Sequence, residues 1–102
     1  MRMTMENRVR VFRALSVATR VEMVRLLAQR TLCVGALAHR LGITAGAVSQ
    51  HLRILQRAGL VERARCGHYV HYRLASDAAN RCRTLIESLF TTEPTAPKEG
   101  DS

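Results

Sequence analysis

The sequence predicts a mainly α fold with one small β-hairpin, in the order α-α-α-α-β-β-α, and three observations predict it. Apolar residues recur every three or four positions through the first half of the chain, as on one face of a helix. The period drops to two between positions 60 and 74, as in a half-buried strand pair. Helical spacing returns near the end, where Cys82, Leu85, Ile86, Leu89 and Phe90 fall at i, i+3, i+4, i+7 and i+8.

The elements follow in order. Val9, Phe12 and Leu15 mark a first helix, and Val21, Val24, Leu27 and Ala28 a second after a break near Ser16. Val34, Leu37, Ala38 and Leu41 make a short third helix that stops at Gly42, a residue suited to a left-handed helix end; Cys33 falls at or just before its first turn. Thr44 caps a fourth helix that runs to about Ala58 and is ended by Gly59. Positions 60–65 and 69–74 then read as strands flanking Cys66, Gly67 and His68, with Gly67 in the turn. Ser76 caps the last helix and Asp77 lies in its first turn.

The fourth helix has two faces. Val48, Leu52 and Leu55 form an apolar stripe, while Gly46, Ser49, Gln50, Arg53 and Arg57 gather on the other side. A short helix, a tight turn with glycine and a two-faced second helix make a helix-turn-helix, whose second helix fits a DNA major groove about 12 Å wide. The same pattern also suits an αα-hairpin with a solvated face. The basic hairpin after it reads as a wing, with Arg63, Arg65, His68 and Arg73 placed for phosphates or the minor groove.

Charge and composition narrow the function. Of 102 residues, 47% are hydrophobic and 24% charged, which suits a folded globular chain. The length supports one domain, expected over residues 1–90, followed by a proline-containing tail, 91–102, expected to be disordered. The net charge is +8 and every basic residue but Lys98 is arginine, so a polyanionic partner is indicated. No apolar run spans a membrane and the start lacks a secretory leader, so a cytoplasmic protein with no membrane partner is expected. Three scattered cysteines make no disulfide framework. An enzyme would need convergent acid, base or nucleophile groups, and the acidic residues are scattered; no cofactor is expected. A winged-helix module that binds protein without binding DNA is the alternative reading.

The apolar stripe of the last helix must be covered in so small a domain, either by its own core or by the same helix of a second copy. A homodimer would place two reading helices on a two-fold-symmetric, palindromic DNA operator.

Residues 34–44, Val-Gly-Ala-Leu-Ala-His-Arg-Leu-Gly-Ile-Thr, followed by Ala47 to Val61, Ala-Val-Ser-Gln-His-Leu-Arg-Ile-Leu-Gln-Arg-Ala-Gly-Leu-Val, resemble the ArsR/SmtB family of bacterial winged-helix repressors. The resemblance extends from about Phe12 to Leu74 and includes Gly67-His68-Tyr69-Val70-His71-Tyr72-Arg73-Leu74 as the wing. It implies a dimer through the first and last helices, here Val9 and Phe12 with Cys82, Leu85, Ile86, Leu89 and Phe90. It also implies that an effector lowers DNA affinity so that transcription resumes. Family members often carry polar side chains where this chain has Ala45 and Gly46, so Ser49, Gln50 and His51 hold the base-reading potential, with Arg53 and Arg57 on phosphates. The arsenic-sensing branch resembles Leu32-Cys33-Val34-Gly35 but carries a second cysteine in place of Gly35, so its thiolate set is incomplete here. The zinc-type ligands of the last helix are missing too, since Asp77 is followed by two alanines and no histidine occurs after His71. His68 and His71, three apart on a predicted strand, face opposite ways and make no metal pair. Cys33, Cys66 and Cys82 leave a thiol oxidant, a thiophilic metal or an unknown ligand as the effector.

Overall fold

The computed structural model describes residues 4–91, so the fate of the expected disordered tail beyond Thr91 lies outside the described residues. Its elements run α1 (Met5–Ala14), α2 (Ala18–Gln29), α3 (Val34–Leu41), α4 (Ala45–Arg57), β1 (Val61–Cys66), β2 (Tyr69–Leu74) and α5 (Ala78–Phe90). Side-chain caps fix three of the helix starts. Thr4 Oγ1 accepts from the Asn7 N–H at 3.1 Å, Thr44 Oγ1 accepts from the Ala47 N–H at 3.1 Å, and Cys33 Sγ accepts from the Ala36 N–H at 3.4 Å. The sequence led us to expect the same kind of cap from Ser76, but α5 starts one residue later: Asp77 holds the cap position without a side-chain cap bond, and its carboxylate lies 4.0 Å from Arg81.

Gly42 closes α3 in the left-handed region, φ 68°, and its N–H donates to the Ala38 carbonyl at 2.9 Å. This makes the tight corner from which α4 departs. Val48, Leu52 and Leu55 are fully buried along one side of α4 and meet Met23 of α2 and Leu37 of α3 in the centre of the core. Burying each of these side chains contributes about 1.5–3 kcal/mol. The second helix matches the expected stripe in part: Leu27 is buried and Val24 is half-buried against the core, but Arg20 and Met23 complete the inward face, while Val21 and Ala28 are exposed. The first helix likewise buries Val11 and Ala14 and leaves Val9 and Phe12 in solvent.

The hairpin is antiparallel with Val61 opposite Leu74 and Cys66 opposite Tyr69. Strand β1 therefore includes Cys66, and the turn is the two residues Gly67 and His68, with Gly67 at φ 63° in the first position, where two-residue hairpins favour glycine. A short bridge joins the hairpin to the body. The Leu32 N–H donates to the Tyr72 carbonyl at 3.0 Å and the Tyr72 N–H donates back to Leu32 at 2.7 Å. Leu32, Leu60 and Val61 are buried where this bridge meets the core.

Candidate nucleic-acid interface

The second helix of the helix-turn-helix presents an open face. Thr44, Ala45, Gly46, Ser49, Gln50, Arg53 and Arg57 are all exposed, on the side of α4 away from Val48, Leu52 and Leu55. Two physical properties converge there. Ala45 and Gly46 leave the first turn without bulk, so its free N–H groups and the positive end of the helix dipole are open to an anion. Further along, Ser49 and Gln50 offer hydroxyl and amide groups, and Gln50 has the paired donor and acceptor that match an adenine edge.

His51, which the sequence grouped with Ser49 and Gln50, sits elsewhere. It is half-buried, and its Nδ1 lies 3.2 Å from Nη1 of Arg20 in α2. Arg20 is only 6% exposed and is held on its other atoms by carbonyls at the end of α1: Nε donates to Ala14 and Nη2 to Arg13, both at 2.9 Å. A guanidinium can only donate, so the imidazole accepts at Nδ1 and is neutral there. Burial, and then the Arg20 charge, push the His51 pKa below the ordinary imidazole value. Sequence reasoning missed Arg20. The signal was its phase, because Arg20 precedes Met23 and Leu27 by three and seven residues and so shares their buried face.

The wing divides its charges between two faces. Arg63 is opposite Tyr72 and Arg65 opposite Val70, whereas Arg73 is opposite Glu62. Arg63 and Arg65 are exposed and, among the described residues, have no carboxylate in ion-pair range. Arg73 is engaged: its Nε donates to Glu62 Oε1 at 2.8 Å. His68 is exposed in the turn itself, while His71 is half-buried on β2.

This layout is shared with known proteins. The sequence pattern of the bacterial regulatory protein, arsR family, matches residues 18–63. The chain is 39% identical over 89 residues to the transcriptional regulator KmtR of Mycobacterium tuberculosis, a match covering 87% of this chain and 67% of that protein. The chain belongs to the ArsR family. It is also 32% identical over 73 residues to the nodulation protein NolR of Rhizobium meliloti, covering 72% of this chain and 60% of that one, so it spans about two thirds or less of these relatives. Among solved structures, an ArsR-like regulator from Rhodococcus sp. RHA1 superposes with a TM-score of 0.77 at 32% identity, covering 86% of this chain and 84% of that one. The homodimeric winged helix-turn-helix DNA-binding domain of Mb0332 from Mycobacterium bovis superposes with a TM-score of 0.70, also at 32% identity, over 83% and 79% of the two chains.

In this ArsR-family chain the apolar residues of the first and last helices fall into two sets. Met5, Val9 and Phe12 of α1 and Ile86, Leu89 and Phe90 of α5 are exposed, Phe90 by 85%. Leu85, which the sequence placed with the outward stripe, is 3% exposed and belongs to the monomer's own core, and Cys82 is half-buried against that core. The three thiols are free. Cys33 serves in the α3 cap, Cys66 is exposed at the hairpin end, and burial pushes the Cys82 thiol up against the opposing pull of Arg81. Among the described residues, no three of His, Cys, Asp and Glu gather closely enough to hold a metal ion. No described helix is long and apolar enough to cross a membrane.

Proposed function

We propose that this ArsR-family chain is a repressor that binds a palindromic duplex operator as a homodimer in the cytoplasm and is released when an effector lowers its DNA affinity. The observation that carries this reading is the two-faced α4: its core side is fully buried at Val48 and Leu55, and its other side presents Ser49, Gln50, Arg53 and Arg57 together in solvent. In this reading Gln50 and Ser49 read base edges, while Arg53, Arg57, Arg63 and Arg65 engage phosphates and fix the register. Arg73 joins them by exchanging its Glu62 partner for phosphate, and His68 reaches the backbone from the turn. His51 supports the helix from behind. The exposed apolar residues of α1 and α5 form the dimer contact, with Leu85 and Cys82 backing it from the core. The chain is a regulator and catalyses no reaction.

Support for the dimer comes from exposure and symmetry. Six large apolar side chains are exposed on the first and last helices, and an apolar face that meets its own copy suits a two-fold contact. Sequencing the DNA fragments retained by the purified protein, with and without reductant, tests the whole reading. A palindrome with half-sites about one helical turn apart is expected, and loss of retention on oxidation would assign the effector to the thiols. Retention of no fragment at low salt would overturn it in favour of a protein-binding module.

A further inference from the structure

An open groove of about 510 Å³ runs between α1 and the C-terminal half of α4, walled by Arg10, Arg13 and Arg57 over half-buried Ile54. It continues past Arg10 and Arg57 into a recess of about 120 Å³ bounded by Asn7, Gly59 and Arg81. Arg10, Arg13 and Arg57 are exposed. The ion pairs among the described residues join Arg73 to Glu62 and Arg81 to Asp77, so none of these three guanidinium groups has a carboxylate partner there. Glu6, one turn before Arg10 on α1, makes no ion pair within that set either. Three like charges on one groove repel, and an anion bound between them removes that repulsion. Arginine is the side chain whose planar fork pairs with phosphate oxygens two at a time.

The groove also lies in line with the reading face. Gln50, Ile54 and Arg57 follow one another along one side of α4 at spacings of four and three, and the seven steps from Gln50 to Arg57 cover about 10 Å of helix axis. A duplex that receives Ser49 and Gln50 in its major groove has a backbone strand on either side of that groove, and Arg57 with the α1 wall stands beside α4 on one side.

We propose that Arg10, Arg13 and Arg57 form a phosphate-binding groove that takes phosphodiester groups of the strand bordering the major groove occupied by α4. The proposal rests on the DNA-binding reading above and adds a second element, α1, to the interface. Its chemistry is that of a phosphate oxyanion, which a soluble phosphate compound also offers, and the test separates the two sources. In one arm, fluorescence anisotropy follows the full chain on a labelled mixed-sequence duplex between about 50 and 200 mM salt. The double variant Arg10→Gln/Arg13→Gln lowers the slope of log affinity against log salt by about 1.8, near 0.9 for each lost contact. The charge-matched variant Arg25→Gln/Arg30→Gln, exposed on and just beyond α2, leaves the slope unchanged. In the other arm, calorimetry titrates inorganic pyrophosphate into the wild type and the Arg10→Gln/Arg13→Gln variant at constant ionic strength.

A reduced slope confined to the groove variant supports the backbone as the occupant. Pyrophosphate binding lost in that variant, with the slope intact, supports the same phosphate site with a soluble occupant in place of DNA. Equal slope changes in both variants, or none, together with no pyrophosphate binding, overturn the proposal. A wild type that binds no duplex at about 50 mM salt removes the operator reading alone, and the pyrophosphate arm then decides the groove.

Discussion

Nη1 of Arg20 meets Nδ1 of His51 at 3.2 Å, so a buried cation on α2 ties the end of α1 to the middle of α4. One side chain thereby sets the distance between the α1–α2 corner and the helix that carries Ser49 and Gln50. Replacing Arg20 with Met keeps much of its aliphatic bulk but leaves the Ala14 and Arg13 carbonyls without this donor. A loss of about 1–3 kcal/mol in urea unfolding is expected. Arg20→Lys recovers only part of it, because an ammonium lacks the fork that reaches three acceptors. Equal stability of wild type and Arg20→Met would remove Arg20 from this role.

The same pair makes stability depend on pH. The His51 pKa is lowered in the folded protein, so between that lowered value and the ordinary imidazole value of about 6.5 the unfolded chain holds more protons than the folded one. Stability contributed by neutral His51 is therefore complete above about pH 6.5 and declines as the pH falls through the window below it. His51→Gln keeps an acceptor without a titrating ring. Urea midpoints measured at intervals from pH 7.5 to 5 should fall more for the wild type than for His51→Gln, and parallel curves would count against the assignment.

Readout and anchoring should separate by mutation. Gln50→Ala is expected to reduce the preference for operator over random duplex by about 1–3 kcal/mol. Arg53→Ala should weaken both duplexes alike and lower the salt slope by about 0.9. Competition binding on the two duplexes distinguishes these effects, and a uniform loss for Gln50→Ala would show that it reads no base.

Gly59 lies at φ 77°, and a Cβ there would run into the Arg81 guanidinium, whose Nη1 donates to the Gly59 carbonyl at 3.1 Å. Gly59→Ala combines backbone strain with a steric clash and should destabilise the fold by about 1–3 kcal/mol. Arg81→Ala removes the clash and leaves the strain, so the double mutant should be more stable than the sum of the single effects implies. Strict additivity in thermal unfolding would mean the two residues are independent.

The dimer contact can be tested without disturbing the core. Ile86→Glu puts a charge on the outward face of α5, while Leu85 behind it stays buried. The expected result is a halved mass in sedimentation equilibrium with an unchanged helical circular dichroism spectrum. An unchanged mass would place the contact elsewhere.

Much of this architecture was legible in the pattern of residues, and the misplacements share one physical origin. The hairpin, the Gly42 corner and the split faces of α4 follow from local chemistry, namely a change of period, a left-handed glycine and an amphipathic stripe. Which of two apolar faces turns inward does not. Helix α1 carries Val11 and Ala14 on one side and Val9 and Phe12 on another, and periodicity alone cannot rank them. On α5 the single stripe divides, because Leu85 is covered by the body and Ile86, Leu89 and Phe90 are not. Arg20 goes unnoticed and His51 is grouped with the open face because charged and polar types are normally solvated, and only the partner across the fold satisfies them in the interior. The Arg73–Glu62 pair likewise depends on cross-strand register, which residue type does not reveal.

The reciprocal bonds between Leu32 and Tyr72 join the hairpin to the segment leading into α3. Hairpin and reading helix consequently travel together as a single tool head. In the proposed homodimer, a message that frees the promoter would then have little to bend inside one subunit and would instead re-aim two stiff heads against each other, changing the span between them until both no longer fit one stretch of duplex.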